Sequence, residues 1–164
     1  MTIRSPIGDD APAVVSIYNH YIANSHATFE VEPIDANEMV YRIGEIQAND
    51  YPFLVYEDEG EVVGFAYANR YKARPAYRHS VEVSVYIRDD TAGKGIGTLL
   101  YEQLFSELKN GDLHAMIAGI SLPNDASVKL HEKFGFEKVA HFREVGRKFD
   151  RWIDVGYWQR LLTK

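Results

Sequence analysis

The feature that most constrains the fold of this chain is an alternating strand followed by a glycine-rich loop and a helix. Aliphatic and polar side chains alternate over residues 79–87, the pattern of a strand with one buried face. Three glycines follow within residues 93–97, and leucines at positions 100, 104 and 108 then recur every four residues, which predicts a helix. Strands and amphipathic helices bury their apolar faces against each other, so the sequence predicts an α/β or α+β layer architecture with a mixed sheet.

The rest of the chain also alternates between helical and strand patterns. We expect two helices near the start, the first capped by Asp9 or Asp10 and the second by Asp35, because apolar residues recur there at three- and four-residue spacing. The other expected elements are a hairpin of residues 53–56 and 62–68, a strand over 113–120, a short helix over 125–134 and two strands within 136–157.

Composition limits the classes of function that the chain can have. With 164 residues, of which 46% are hydrophobic, we expect a single domain spanning residues 1–164. The charge of 18 − 24 = −6, with basic residues dense only in short stretches, argues against a nucleic-acid partner. No apolar run approaches the roughly 20 residues that span a bilayer, and no signal-peptide pattern is present, so we expect no membrane partner and a cytoplasmic location. The sequence has no cysteine, which excludes disulfides, thiolate zinc sites and a cysteine acyl-enzyme.

The glycine-rich loop has the composition of a phosphate-binding turn. Without side chains, successive backbone N–H groups can approach an anion beside the start of a helix. The spacing does not match the nucleoside-triphosphate loop, and Thr98 occupies the third glycine position of the dinucleotide motif. A flexible turn with a helix cap remains the alternative interpretation of these glycines.

Several segments together resemble the GNAT superfamily of acetyl-CoA-dependent N-acetyltransferases. The superfamily pattern Arg/Gln-x-x-Gly-x-Gly/Ala matches residues 92–97 at the glycines, although Ala92 replaces the first polar residue. Over nearly the whole chain the sequence is more closely similar to phosphinothricin and methionine sulfone/sulfoximine acetyltransferases. The matching segments are residues 18–22, 28–30, 71–74, 81–86, 122–127, 130–132 and 154–159.

The resemblance implies a fold and a set of ligands. It implies a mixed, mostly antiparallel sheet of about seven strands flanked by helices, with acetyl-CoA held where two central strands splay apart. It also implies a small, anionic, amino-acid-like substrate and a homodimer. With no cysteine to carry the acyl group, we expect direct attack of the amine in a ternary complex.

Glu82 is the candidate general base. An amine attacks a thioester only when it is neutral, and an α-ammonium is largely protonated at neutral pH, so the site needs a proton acceptor. Glu82 lies on the polar face of the alternating strand, where burial can raise the pKa of its carboxyl group. The alternative is a structural ion pair of Glu82 with Arg74 or Arg78.

His131 is the candidate acid for the departing thiolate. It follows Ser127 by four residues, so the two side chains share one face of the expected fourth helix. The resemblance directs this helix toward the cofactor. The alternatives are a structural histidine and a thiolate that leaves unaided, since thiols are acidic.

The remaining candidate residues fall into two sets. Those expected to bind acetyl-CoA are Val85, Tyr86, Ile87, Gly93, Lys94, Gly95, Ile96, Gly97, Thr98, Asn124, Ser127 and Lys133. Those expected to bind the substrate are Phe29, Lys72, Ala73, Arg74, Pro75, Glu82, Val83 and Ser84. The guanidinium fork of Arg74 suits a carboxylate or phosphinate. No histidine spacing typical of metal ligands is present, so we expect no metal.

Two other functions remain open at this point. One is a GNAT enzyme that acts on a protein N-terminus or a polyamine, although a polyamine site should be acidic and the loop around Arg74 is basic. The other is a noncatalytic acyl-CoA-binding module, against which the presence of Glu82 argues.

Overall fold

The computed structural model describes residues 1–109 and 111–162. Its helices are α1 (Ala11–Asn24), α2 (Ala36–Ala48), α3 (Ile96–Leu108) and α4 (Asp125–Lys133). Its strands are β1 (Thr2–Arg4), β2 (Phe53–Asp58), β3 (Glu61–Arg70), β4 (Ser80–Ile87), β5 (Ala115–Leu122), β6 (Glu137–Lys148) and β7 (Arg151–Leu161). The strands form one sheet in the order β1-β2-β3-β4-β5-β7-β6. The expected mixed sheet of about seven strands is confirmed.

Strand pairing follows from the connections along the chain. The pairs β1–β2, β2–β3, β5–β7 and β6–β7 are antiparallel. Only β4–β5 is recorded as parallel among the described residues, because α3 lies between these strands and returns the chain to the same edge. The β4–β5 ladder joins residues 80–82 to residues 115–117, so it ends at Glu82.

The sequence patterns located most of these elements to within a few residues. Asp35 caps α2 as expected, since its Oδ1 accepts a hydrogen bond from the Glu38 N–H at 2.8 Å. The prediction that Asp9 or Asp10 caps α1 is wrong for Asp10, whose carboxylate instead accepts hydrogen bonds from the Arg4 guanidinium and the Ile7 N–H. The sequence also missed β1, because three residues are too few to show a period.

The described contacts divide the chain into two compact units. The first unit comprises Met1–His20, Ile34–Asn69 and Val83–Asp112. Both α2 and α3 contact β2 there. Aromatic rings line one face of its strands: Phe65 stacks on Phe53 and on Tyr86, with ring centroids 5.6 and 5.3 Å away. This unit carries the glycine-rich loop at the start of α3.

The second unit comprises Tyr21–Pro33, Arg70–Glu82 and Leu113–Lys164. Its core lies on β5 and β7, where Met116, Ile120 and Trp158 are buried. The Trp158 indole N–H donates to Glu132 of α4 at 3.2 Å, which ties the helix to the strands. This unit carries Glu82 and the basic loop.

Candidate active site

Glu82 is a half-buried carboxylate on β4. Its side chain makes no hydrogen bond or ion pair with any residue in the described part of the chain, so it is paired with neither Arg74 nor Arg78. Burial raises the pKa of the Glu82 carboxyl group above its ordinary value, with no opposing cation. The structure therefore removes the ion-pair alternative and leaves an acid with increased affinity for a proton.

Gly119 and Tyr157 enclose Glu82 from the neighbouring strands. They are paired residues of β5 and β7. A Cβ atom at Gly119 would lie 3.6 Å from Glu82 Oε1 and 3.2 Å from Tyr157 Cε1, so the missing side chain leaves room for both groups. Burial, Glu82 and Tyr71 raise the pKa of the Tyr157 phenol, whereas Lys72 lowers it. At neutral pH the phenol therefore stays protonated beside the carboxylate.

Sequence reasoning did not select Gly119 or Tyr157. The available signal was the alternation along β7, which places Tyr157 on the opposite face from the buried Trp158. Alternation shows which side chains share a face of one strand. It does not show which residues of other strands lie next to them. The register between β5 and β7 puts this tyrosine beside Gly119, and the pairing of β4 with β5 brings Glu82 to the same position.

The loop before β4 presents exposed cations. The Lys72 ammonium lies over the rings of Tyr71 and Tyr77, 5.1 and 5.4 Å from their centroids. Arg74 immediately precedes the short 3-10 turn Pro75–Tyr77 and its carbonyl accepts the Tyr77 N–H. The Arg74 guanidinium is exposed and makes no ion pair within residues 1–109 and 111–162. It is therefore available to an anionic ligand.

The remaining substrate candidates and the nearby aromatic residue Trp152 differ in exposure. Phe29 is 41% exposed and its ring lies directly over the backbone of Gly146. Trp152 is 62% exposed, with the Arg147 guanidinium 5.5 Å from its ring centroid. Ala73 and Pro75 lie exposed in the basic loop, whereas Val83 is buried and Ser84 half-buried on β4.

The glycine-rich loop has an open space above its backbone. Gly93 and Gly95 have φ values of +79° and +83°, and a Cβ atom on either would meet no atom of the chain within 4 Å. Gly95 occupies the cap position of α3, where the first backbone N–H groups of a helix lack intrahelical partners and carry partial positive charge. An acetyl-CoA pyrophosphate fits this arrangement. The positive φ does not extend to Gly97, which lies in the first turn of α3.

The other candidates for binding acetyl-CoA lie on β4, at α4 and, for Lys94, in the glycine-rich loop. Val85, Tyr86 and Ile87 form the end of β4 in the first unit, together with the glycine-rich loop. In the second unit, Asn124 caps α4, with its Oδ1 accepting the Ser127 N–H at 3.1 Å. The Asn124 amide nitrogen donates to no group in the described ranges, so it remains available to a ligand. Lys94 and Lys133 are exposed.

His131 is a buried residue of α4. Only 4% of its surface is exposed, and its ring meets Phe136 edge-on at 5.3 Å. Its Nδ1 lies 2.8 Å from the Ser127 carbonyl oxygen, so Nδ1 carries a proton and donates it to the helix backbone. Burial lowers the pKa of the imidazole, against the smaller effect of this hydrogen bond. This geometry favours the structural alternative, and the acid function of His131 stays a prediction.

Comparison with known proteins identifies the family. The acetyltransferase (GNAT) domain family matches residues 3–156. This chain belongs to the GNAT family. Its GNAT relatives include the phosphinothricin N-acetyltransferase of Streptomyces coelicolor, which is 40% identical over 98% of this chain and 95% of that protein. The L-methionine sulfoximine/L-methionine sulfone acetyltransferase of Salmonella typhimurium is 35% identical over 100% of this chain and 96% of that protein.

Solved GNAT structures share the whole fold. A phosphinothricin acetyltransferase from Sinorhizobium meliloti, in complex with acetyl-CoA, superposes with a TM-score of 0.95 and 36% identity, over 98% of this chain and 88% of that one. The ribosomal-protein-alanine N-acetyltransferase of Brucella melitensis gives a TM-score of 0.96 and 35% identity, over 99% and 100%. The expected GNAT fold and N-acetyltransferase class are confirmed.

Within residues 1–109 and 111–162, no group of three histidine, aspartate or glutamate side chains is placed to hold a metal ion. No helix in these ranges is both long and apolar enough to cross a membrane.

Proposed function

We propose that the protein transfers the acetyl group of acetyl-CoA to the amino group of a small, anionic, amino-acid-like substrate. The substrate class is that of phosphinothricin, methionine sulfone and methionine sulfoximine, and residues 1–164 act as one catalytic domain. The observation that carries the proposal is the half-buried Glu82, whose pKa is raised and whose carboxylate has no ion-pair partner among residues 1–109 and 111–162.

Glu82 accepts the proton that the substrate ammonium must lose before its nitrogen can attack. Its raised pKa brings the proton affinity of the carboxylate closer to that of an amine, which favours general-base catalysis near neutral pH. The acetyl donor supplies an activated thioester. Since the sequence has no cysteine, the amine attacks that thioester directly, without a cysteine acyl-enzyme.

Backbone groups of the first unit hold the acetyl donor. The loop of residues 93–98 and the start of α3 bind its pyrophosphate, because N–H groups at a helix start attract an anion. Backbone groups of residues 85–87 pair with the amides of its pantetheine arm, as an added strand would. The Asn124 amide, Ser127 and Lys133 complete the set of residues proposed to bind the donor.

The basic loop binds the acidic group of the substrate. The unpaired Arg74 guanidinium forms a bidentate pair with a carboxylate or phosphinate, and Lys72 adds a second positive charge. Phe29 forms an apolar wall, and Ala73, Pro75, Val83 and Ser84 complete the substrate-binding set. After transfer, the CoA thiolate takes a proton from His131 or leaves unaided.

A homodimer and a cytoplasmic location are part of the proposal. The support for the dimer is a set of exposed apolar side chains on β6, β7 and the turn that joins them, namely Val139, Phe142, Val145, Phe149 and Trp152.

Light scattering should give the mass of a dimer, and Val145→Asp should shift it toward the monomer. Val40→Asp, at a similarly exposed valine of α2, is the control. A monomeric wild type would contradict the dimer.

One alternative has a specific observation in its favour. The superposed structure from Brucella melitensis is named a ribosomal-protein-alanine N-acetyltransferase, so a protein N-terminus is the second candidate substrate. A polyamine is disfavoured because Lys72 and Arg74 would repel it. The unpaired base argues against a noncatalytic acyl-CoA-binding module.

A thiol-release assay separates these functions. The protein is incubated with acetyl-CoA and each of three acceptor classes: amino-acid analogues with an acidic group, peptides that begin with alanine, and polyamines. We expect kcat/KM to be highest for phosphinothricin, methionine sulfone or methionine sulfoximine. Preference for the peptides or polyamines would overturn the substrate assignment, and no release with any acceptor would favour the binding module.

A further inference from the structure

A buried lysine of β6 holds the segment that carries Phe29. Lys148 is the last residue of β6 and is only 4% exposed. Its ammonium donates to the carbonyl oxygens of Ser25 and Thr28, at 2.6 and 2.9 Å. Because these two carbonyls flank the turn after α1, one side chain fastens that turn to the sheet of the second unit.

The burial of this ammonium is unfavourable unless its hydrogen bonds are made. Burial lowers the pKa of Lys148, while Glu30 acts in the opposite direction. Hydrogen bonds from a charged donor are about twice as strong as neutral ones. The buried Lys148 ammonium thus holds the segment through specific hydrogen bonds and is not a solvated surface charge.

The same strand also supports the Phe29 ring. Gly146 is two residues before Lys148, on the same face of β6. A Cβ atom at position 146 would overlap the Phe29 ring, so the ring occupies the space that a side chain would fill. Any larger residue at position 146 must move Phe29.

A second set of hydrogen bonds holds the middle of the segment, between Ser25 and Thr28. The Ser121 hydroxyl of β5 donates to the His26 carbonyl oxygen. The His26 Nδ1–H in turn donates to Ser121 Oγ at 2.8 Å. The backbone of residues 25–28 is therefore tied to β5 and to β6, leaving Phe29 at the end of a restrained turn.

We infer that Lys148 and Gly146 are positioning residues for the amino-acid acceptor. Lys148 fixes the backbone of residues 25–28, Gly146 seats the Phe29 ring, and together they set the position of the apolar wall that the substrate meets. This inference rests on the proposed function, because it takes Phe29 as part of the substrate site.

The first experiment replaces Lys148 with methionine, which keeps an unbranched chain and removes the ammonium. We expect KM for the amino-acid substrate to rise about tenfold, with KM for acetyl-CoA and kcat within about twofold, because substrate binding loses a restraint that the chemical step does not use. The matched control is Lys138→Met on β6, where the ammonium lies 2.9 Å from His141 Nδ1 and 5.3 Å from the Trp158 ring centroid. The control should behave as the wild type.

A second measurement does not depend on activity. Hydrogen-exchange mass spectrometry should show exchange of the amides of residues 25–30 accelerated about tenfold or more in Lys148→Met, with β5 and β7 unchanged. If wild type acetylates nothing, the proposed function fails, and this measurement still decides whether Lys148 holds the segment. Unchanged exchange, or equal losses for both substrates, overturns the inference.

A double-mutant cycle tests Gly146. Gly146→Ala should change the ratio of kcat/KM between a short and a long acceptor by about fivefold or more, because the new methyl group displaces the Phe29 ring. In a Phe29→Leu background the same substitution should have little effect. Additive effects of the two substitutions would show that Gly146 does not act through Phe29.

Discussion

The glycine-rich loop and the surroundings of Glu82 contribute different parts of the chain to their proposed functions. The loop offers backbone groups and open space, with two glycines at positive φ and no atom of the chain above them. At Glu82 the active part is the side chain, and burial beside Gly119 and Tyr157 raises the proton affinity of its carboxylate. Consecutive residues can therefore encode a backbone that suits an anion, whereas the proton affinity of an acid depends on the strands that pack around it.

The largest effect is expected from Glu82→Gln, which keeps the shape of the side chain but removes the base. We expect kcat near neutral pH to fall by about 10²- to 10⁴-fold, the usual contribution of general-base catalysis. Acetyl-CoA affinity should stay at the wild-type value, because the glycine-rich loop that is proposed to bind its pyrophosphate does not include Glu82. Steady-state kinetics and calorimetric titration check both, with Glu137→Gln, an exposed acid of β6, as the control.

The pH dependence of this variant sharpens the prediction. Because burial raises the pKa of Glu82, the wild-type rate should fall on the acid side at a higher pH than an ordinary glutamate would give. The loss in Glu82→Gln should shrink as pH rises, since more amine is already neutral. Turnover within about threefold of wild type at all pH values, far below the expected contribution, would show that Glu82 is not the base.

Stability should change in the opposite direction from activity. A carboxyl group whose pKa is raised on folding binds a proton more tightly in the folded state, so ionised Glu82 lowers the free energy of unfolding as pH rises through its pKa. Glu82→Gln should therefore have a higher Tm than wild type at neutral pH. The difference should disappear in acid, where wild-type Glu82 is protonated.

The next largest effect is expected from Gly95→Val, which tests whether the glycine-rich loop binds acetyl-CoA. A branched side chain fills the space above the loop and is strained at positive φ, so the Kd for acetyl-CoA should rise about tenfold or more. Gly60→Val is the matched control, because Gly60 has φ +84° and equally open surroundings in the turn between β2 and β3. It carries the same strain without touching the loop. Equal Kd values for a folded Gly95→Val variant and wild type would show that the glycine-rich loop does not bind the pyrophosphate of acetyl-CoA.

A smaller effect, confined to one substrate, is expected from Arg74→Ala. KM for the anionic acceptor should rise about tenfold and KM for acetyl-CoA should not change, because a charge-assisted pair made only with the acceptor is lost. Arg78→Ala removes an exposed arginine from the other end of the same 3-10 turn and serves as the control. Equal increases in both KM values would place Arg74 at the donor or in the scaffold.

The smallest effect is expected from Tyr157→Phe. The phenol makes no hydrogen bond to Glu82 in the structure, so we expect kcat within about threefold of wild type, far below the loss of an acid or base. Stopped assays with the preferred acceptor suffice. A loss of a hundredfold or more would instead make Tyr157 the proton donor to the thiolate, in place of His131.

The sequence predicted the elements well because their signals are local. Alternation over β4, four-residue spacing in α3 and the capping residue Asp35 each involve neighbours along the chain, and each appears in the structure. The same logic failed for Asp10, since a capping residue can find a stronger partner elsewhere. The Asp10 carboxylate pairs with the Arg4 guanidinium, with 2.7 Å between Arg4 Nη1 and Asp10 Oδ2.

The sequence by itself determined the order of the elements, the glycine-rich loop and the residue types available for chemistry, including Glu82 and the absent cysteine. Only the tertiary structure decided that Glu82 has no ion pair with any described residue, that Tyr157 lies beside it and that His131 is buried. It also brought Lys148 to Ser25, 123 residues away along the chain. The physical reason is that backbone conformation depends on near neighbours, whereas burial, charge pairing and proton affinity depend on groups that folding brings together from distant parts of the chain.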